Sequence, residues 1–421
     1  MTGTRVHTAP WVLTGTRAIR HGAVAVTGSR IAEVGSVDEL RSAGEVVEWS
    51  GTLIPGLVNA YTHLQYTHMA ALGQSSYDSF EAWSTAFEAE YSRRGDWRAS
   101  AELGLEAAIR SGTTAIGDVV THAEALNVLS AGRMHGIAYW EVMAWHDTDW
   151  SERGRQETLA VLAQATGPVG LSPHAPYSLD TGVLDDLGRL ARELGLRSHV
   201  HVAESSAEHD YIADGAGPLA EQWRAWGHGE FALLRGGGAA VRPVIYADTL
   251  GVLGAHTHIA HGIYVDADDR ARLRDTGTVV ALCPRSNEVL GLDAAPVADY
   301  LREGNPIAVG TDSLSSSPSV DVLADVAALH RIARDQGYTA PDLHARLFTA
   351  ATAGGAAAMG LGDEFGTLTA GKLADITVLG IEESTAADTL AAIVEAGEGS
   401  AVATIIDGET RFVRTAVSAQ R

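Results

Sequence analysis

The chain has 421 residues, 46% of them hydrophobic, and a formal charge of −23 from 30 basic and 53 acidic side chains. That length supplies a sizeable core for one large domain with an appendage or for two domains, and the acidity argues against a nucleic-acid polyanion or an anionic membrane as main partner. The single cysteine, Cys283, excludes an intramolecular disulfide; with neither a basic-then-apolar leader nor an apolar run of about 18 residues, a soluble cytoplasmic protein is expected.

Residues 1–52 alternate short β-branched runs such as "GAVAVTG" and "RIAEVG" with glycine turns, which predicts small strands without helices between them. Eight apolar β-rich runs then alternate with segments of helical period: "TLIPGLVNAYTH", "TTAIGDVV", "GIAYWEVM", "VGLSPHAPYS", "RSHVHVAE", "THIAHGIYV", "TVVALCPRSN" and "PIAVGTDS". They predict an α/β fold, a (β/α)8 barrel over 53–362. Among the helices, "RASAELGLEAAIRSG" carries Leu and Ile on one stripe and stops at Gly112. Residues 205–245, with the glycine-rich "RGGGAA", read as a long insertion after the fifth strand. "GTLTAGKLADITVLG" and "AVATIIDGETRFVR" return to short strands, so 1–52 and 363–421 are expected to form one small β-sandwich from both chain ends.

In such barrels the functional side chains lie at the C-terminal ends of the strands, where eight loops converge. His63, His174, His201, Glu204, His261 and Asp312 all fall at or just beyond the ends of expected strands, five in all, with His201 and Glu204 sharing one. Imidazole and carboxylate suit zinc, and also iron or manganese, which makes His63, His201 and Asp312 candidate ligands of one divalent ion. Water on such an ion drops in pKa from about 15.7 toward about 7. Glu204 is the candidate proton shuttle, His261 and Asp312 are candidates to orient or deprotonate the water, and His174 to polarise a substrate. Each has an ordinary alternative, since a strand-end His is commonly solvated or packed and Asp312 in "GTDS" suits a turn; their coincidence is what argues for a site. His199 shares a strand face with His201 and is expected to pack, and His256 and His258 of "AHTHIAH" read as structural. Arg285 and Asn287 of "CPRSN", with Trp83, Trp140 and Trp145, are candidates to line a substrate pocket, with plain packing as the alternative.

Taken together, "TLIPGLVNAYTHL", "LSPHAPYS", "HVHVAES", "IAHGIYV", "CPRSN", "GTDSLSS" and "GTLTAGKLADITVL" resemble the amidohydrolase superfamily, in its branch of cytosine, guanine and adenosyl-compound deaminases. The resemblance implies a (β/α)8 barrel with a β-sandwich from both ends, metal ligation by His63, His201 and Asp312, proton handling by Glu204 and His261, and substrate contact by His174. Within that branch, "LQYTHM", "FEAWSTAFEAEY", "DWRASAELGLEAAIRSGTTAIGDVVT" and "MHGIAYWEVMAWHDTDW" look most like aminodeoxyfutalosine deaminases of menaquinone biosynthesis.

Where the family has His-x-His, this chain has Tyr61-Thr62-His63. Three readings stand. Tyr61 is a phenolate ligand, which needs a strong cation to remove a proton of pKa about 10; or it bonds the water or substrate while His63, His201 and Asp312 hold the ion; or the ion is lost and a substrate-binding barrel remains. His68, farther along, is expected in the loop. The expected reaction is hydrolytic deamination of an aminated purine-like ring, with amide hydrolysis in a modified peptide as the alternative. Both imply a small or peptide-like substrate and no nucleic-acid or membrane partner, and a homodimer would be the common assembly.

Overall fold

The computed structural model describes residues 3–93 and 95–414; residues 415–421 of the expected terminal domain lie outside these. Eight parallel strands form one sheet in chain order: β6 (Leu57–Thr62), β7 (Thr113–Val120), β8 (His135–Val142), β9 (Val169–Pro173), β10 (Ser198–Val202), β11 (Thr257–His261), β12 (Val279–Leu282) and β13 (Ile307–Val309). Each coincides with one of the eight apolar runs. Strands buried on both faces read as near-continuous apolar segments, which is why they stand out in the sequence. Together with the helices between them they make the (β/α)8 barrel.

The ring closes between β13 and β6 by a different kind of contact. The Tyr61 carbonyl accepts the N–H groups of both Thr311 and Asp312 at 3.1 Å. Asn59 donates from Nδ2 to Thr311 Oγ1 at 2.7 Å and accepts the Thr311 N–H at 3.1 Å, and the Thr62 hydroxyl donates to the Asp312 carbonyl at 2.7 Å. At Gly310 an added Cβ would lie 3.1 Å from both the carbonyl oxygen and the Cβ of Tyr61, so a bare backbone lets the last strand come this close to the first.

A second sheet uses both ends of the chain: β1 (Thr4–Leu13), β2 (Ala18–Thr27), β3 (Arg30–Ser36), β4 (Glu45–Glu48) and β5 (Thr52–Pro55) join β14 (Ile376–Leu379), β15 (Ala401–Ile406) and β16 (Glu409–Val413). Its order is β16-β15-β14-β5-β1-β2-β3, with β4 parallel beside β1. Thr52–Pro55, which in sequence runs on into the first barrel segment, is a strand of this second sheet, antiparallel to β14. The chain passes from one sheet to the other at Gly56, where a Cβ would meet the Thr114 side chain at 2.0 Å.

His135, at the start of β8, ties the two sheets together. Its Nε2 lies 3.2 Å from an Asp407 oxygen and 3.5 Å from an Asp375 oxygen. Burial pulls its pKa down, but the two carboxylates outweigh burial and hold it above the ordinary value. A raised folded-state pKa stabilises fully below the unfolded value of about 6.5, and that stabilisation is lost as pH rises through the folded value. We expect His135→Gln to lower unfolding free energy by about 1.5–3 kcal/mol at pH 5.5 and by much less at pH 9, as read from urea unfolding at both pH values. A pH-independent difference would contradict the ion pair.

Candidate functional site

The strand ends converge on Tyr61. This residue is buried at the end of β6, and its ring stacks on His199 with centroids 4.7 Å apart and planes 12° from parallel. Beneath it His199 meets His258 at 4.9 Å and His258 meets Tyr139 at 5.2 Å. His199 and His258 are register partners on the adjacent strands β10 and β11, while Tyr61 and Tyr139 reach them from β6 and β8, so the column fills the barrel interior. His199 and His258 are therefore packing groups, and His258 also bonds the Ala60 carbonyl through Nε2 at 3.0 Å.

The Tyr61 hydroxyl lies 3.0 Å from His63 Nε2 and 2.8 Å from His201 Nε2. A phenol carries one proton, so it donates to one imidazole at most. His201 Nδ1 sits 2.6 Å from the His174 carbonyl; that nitrogen donates, which leaves the Nε2 lone pair facing Tyr61 and makes His201 the acceptor. Burial first, then the ionised Asp312 and the acidic groups of Cys283, Glu204 and Glu141 around it, push the Tyr61 phenol well above its ordinary pKa. Burial likewise holds His63 down to about 4, His174 to about 3, and His201 well below its usual value. Neutral imidazoles are the form that binds metal.

Carboxylates surround this core. One oxygen of Glu204 lies 3.3 Å from His261 Nε2, and burial raises its pKa against the opposing pull of His261. His261 Nδ1 is 3.1 Å from Asn287 Oδ1, so it donates there and Nε2 keeps a free lone pair toward Glu204. Asp312 accepts from the Ser313 N–H and from the Ser286 hydroxyl at 2.7 Å. Burial opposes its ionisation, yet His261, His63 and these hydrogen bonds keep its pKa below the ordinary carboxylate value. His261 and Asp312 have φ of +71° and +56°, left-handed conformations uncommon outside glycine; the sharp turns lie where the side chains leave the strands. Glu141, at the end of β8, was not singled out in the sequence. Burial and then Asp312 raise its pKa to about 8, and His63, Glu141 and His201 each bring a ligand atom within 4.8 Å of the other two. Two or three imidazole nitrogens and carboxylate oxygens at such spacing fit a zinc-type ion.

A cavity of about 430 Å³ opens above this floor, and Tyr61, His63, Glu141, His174, His201, Glu204 and Asp312 all line it. The helix Phe80–Tyr91 lays Phe80, Trp83, Phe87 and Tyr91 along one wall, and Trp83 Nε1 donates to the Ser315 carbonyl at 2.9 Å, pinning that helix to the loop after β13. The segment after β10, expected as an insertion, folds into short helices that supply Trp223 and Trp226 to the same cavity.

Other expectations are corrected. Arg285 does not line the cavity. Its guanidinium pairs with Asp325 at 2.8 Å and donates to the Ser319 hydroxyl at 2.9 Å and to the Ser319 carbonyl at 2.8 Å, which commits it outside the cavity lining. Asn287 stands behind His261 and holds that ring rather than a ligand. Trp140 packs in the core and Trp145 against Trp150. His68, expected in a loop, is exposed on the short 3-10 helix Leu64–Met69 that follows β6.

Fold and site together define a barrel hydrolase whose polar groups meet at the C-terminal mouth. Residues 52–411 match the model of the amidohydrolase family, and the chain belongs to that family. It is 32% identical over 378 residues, 85% of this chain and 81% of the relative, to a 5-methylthioadenosine/S-adenosylhomocysteine deaminase of Haloarcula marismortui. It is 31% identical over 325 residues, 72% of this chain and 75% of the relative, to an aminodeoxyfutalosine deaminase of Deinococcus radiodurans. Among solved structures it superimposes on a zinc-bound adenosine deaminase from Xanthomonas campestris with a TM-score of 0.79 and 22% identity, covering 97% of this chain and 93% of the other. The chain is thus a hydrolytic enzyme.

Proposed function

We propose that this enzyme hydrolytically deaminates an adenosine-like nucleoside, with a 5′-substituted adenosine such as aminodeoxyfutalosine or 5′-methylthioadenosine as the substrate class. The observation that carries this reading is Glu204: a cavity-lining carboxyl whose burial favours the protonated form, 3.3 Å from the free lone pair of His261. A group so placed can deliver a proton to a ring nitrogen and recover one from water. The named relatives support the substrate class.

His63 and His201 would hold a zinc-type ion, with Tyr61 and a carboxylate of Asp312 or Glu141 beside them. Such an ion lowers the pKa of a water molecule to about 7. His261 Nε2 and the ionised Asp312 orient the attacking water and accept its proton. Glu204 protonates the ring nitrogen next to the carbon that bears the amine. The new carbon–oxygen bond forms first and makes that carbon tetrahedral. The proton taken from water then passes to the amine, and the carbon–nitrogen bond breaks as ammonia leaves. Glu204 recovers its proton from the remaining hydroxyl, which becomes the ring carbonyl. The aromatic walls stack the base and keep bulk water out.

The test is ammonia release from adenosine, 5′-methylthioadenosine, S-adenosylhomocysteine and aminodeoxyfutalosine. Release from at least one is expected; release from none overturns the reading, and new amine and carboxylate termini from a modified peptide would replace it with amide hydrolysis. Tyr61 gives a separate check. Because its hydroxyl stands between two imidazole nitrogens, Tyr61→His should restore the family's His-x-His and tighten zinc retention at least tenfold, measured as metal content after dialysis against a graded chelator. Unchanged retention would overturn the claim that the family's metal site is otherwise intact.

A further inference from the structure

A second group of donors lies on the outside of the barrel. His330 comes from the helix Val322–Asp335, His344 from Leu343–Thr349 and Glu395 from Ala386–Ala396, the helix between β14 and β15. The two imidazoles stack with centroids 5.0 Å apart and planes 15° from parallel. Both aim Nε2 at one oxygen, Glu395 Oε1, at 3.6 Å from His330 and 2.7 Å from His344. The three donor atoms lie within 4.8 Å of one another.

We infer that His330, His344 and Glu395 form a second divalent-metal site of the zinc type, which clasps the terminal helix to the barrel. Donors held about 2.0–2.1 Å from a tetrahedral ion stand about 3.3 Å apart. The two histidine–carboxylate separations straddle that value, and the two imidazole nitrogens, within 4.8 Å of each other, have to draw together around the ion as the half-exposed Glu395 shifts. His330 supplies the independent sign. Its side chain is only 13% exposed, yet its Nε2 has no hydrogen-bond partner, and burial lowers its pKa and keeps the ring neutral. A buried nitrogen without a partner is costly to leave unmet, and a bound ion would satisfy it. Two imidazoles and one carboxylate leave a fourth position to solvent, as suits an ion held at a surface. The ligands come from three helices, and Ile393 and Val394 of the terminal helix already share a core with Leu343 and Leu347. Metal here reinforces a docked interface and does not create one.

The experiment uses the full chain without an affinity tag, stripped with chelator and titrated with zinc alone by calorimetry and by metal analysis after gel filtration. Wild type is expected to bind one more zinc ion per chain than His344→Ala or Glu395→Gln, at micromolar concentration. Zinc should also raise the melting temperature of wild type by more than that of either variant. Glu395 is half-exposed, so its variant keeps the fold even where loss of an imidazole does not. Deaminase turnover of the metal-loaded variants should match wild type, because none of these residues lines the cavity. Equal zinc stoichiometry in wild type and variants, or loss of an ion only at millimolar concentration, overturns the inference. The difference between wild type and variants is the readout, so the result stands apart from whether the barrel mouth holds metal.

Discussion

Replacing Glu204 by Gln is expected to cut kcat by about a hundred- to ten-thousand-fold, the range seen when a positioned general acid is removed, while KM for the same nucleoside changes little. The amide keeps the shape and the place in the cavity floor but carries no proton to give. Stability should hold or rise slightly, because a buried ionisable carboxyl beside Asp312 is costly to desolvate. The Glu204 backbone N–H bond to Glu208 Oε2 at 2.8 Å is untouched by the change. Ammonia release under saturating substrate, paired with thermal melting, separates the two effects. Turnover within threefold of wild type would remove Glu204 from the chemistry and leave His261 and Asp312 to move protons.

Loss of the Arg285 guanidinium acts on stability. Asp325 is fully buried and Arg285 is 11% exposed, so Arg285→Ala leaves a carboxylate in the interior with its counter-charge gone. Breaking such a pair from one side costs about 3–5 kcal/mol. Urea unfolding should show that loss, and the double variant Arg285→Met with Asp325→Leu should be more stable than Arg285→Ala, since removing both charges strands neither. A substrate contact would behave in the opposite way, raising KM with the unfolding midpoint unchanged. That outcome would return Arg285 to the cavity.

The eight barrel strands were legible because each is a short apolar run closed by glycine, proline or a polar strand end, and the chain visits them in order. The same regularity located His63, His174, His201, Glu204, His261 and Asp312 at strand termini. What the sequence withheld is direction. "CPRSN" puts Arg285 and Asn287 two residues apart at the opening of a helix, and nothing local says that one turns outward to Asp325 while the other turns in behind His261. Glu141 ends an apolar run without any neighbouring imidazole to mark it, and its closeness to His63 and His201 exists only across the barrel. The aromatic wall of Phe80–Tyr91 was hidden for a related reason: none of its residues is buried, so it reads as an undistinguished surface helix until the cavity is seen. The boundary at Thr52–Pro55 was blurred because two strands of different sheets are separated by one glycine.

That joint has a consequence for how the protein is made. β5 hydrogen-bonds to β14, so the strand that leads directly to Tyr61 and His63 stays half-paired until Ile376–Leu379 has emerged. At a synthesis rate of about 5–20 residues per second, that wait is roughly a quarter of a minute to a minute. A nascent chain would therefore hold an exposed apolar edge through most of its translation, and chaperone capture during that interval should fall sharply once the last three strands clear the ribosome.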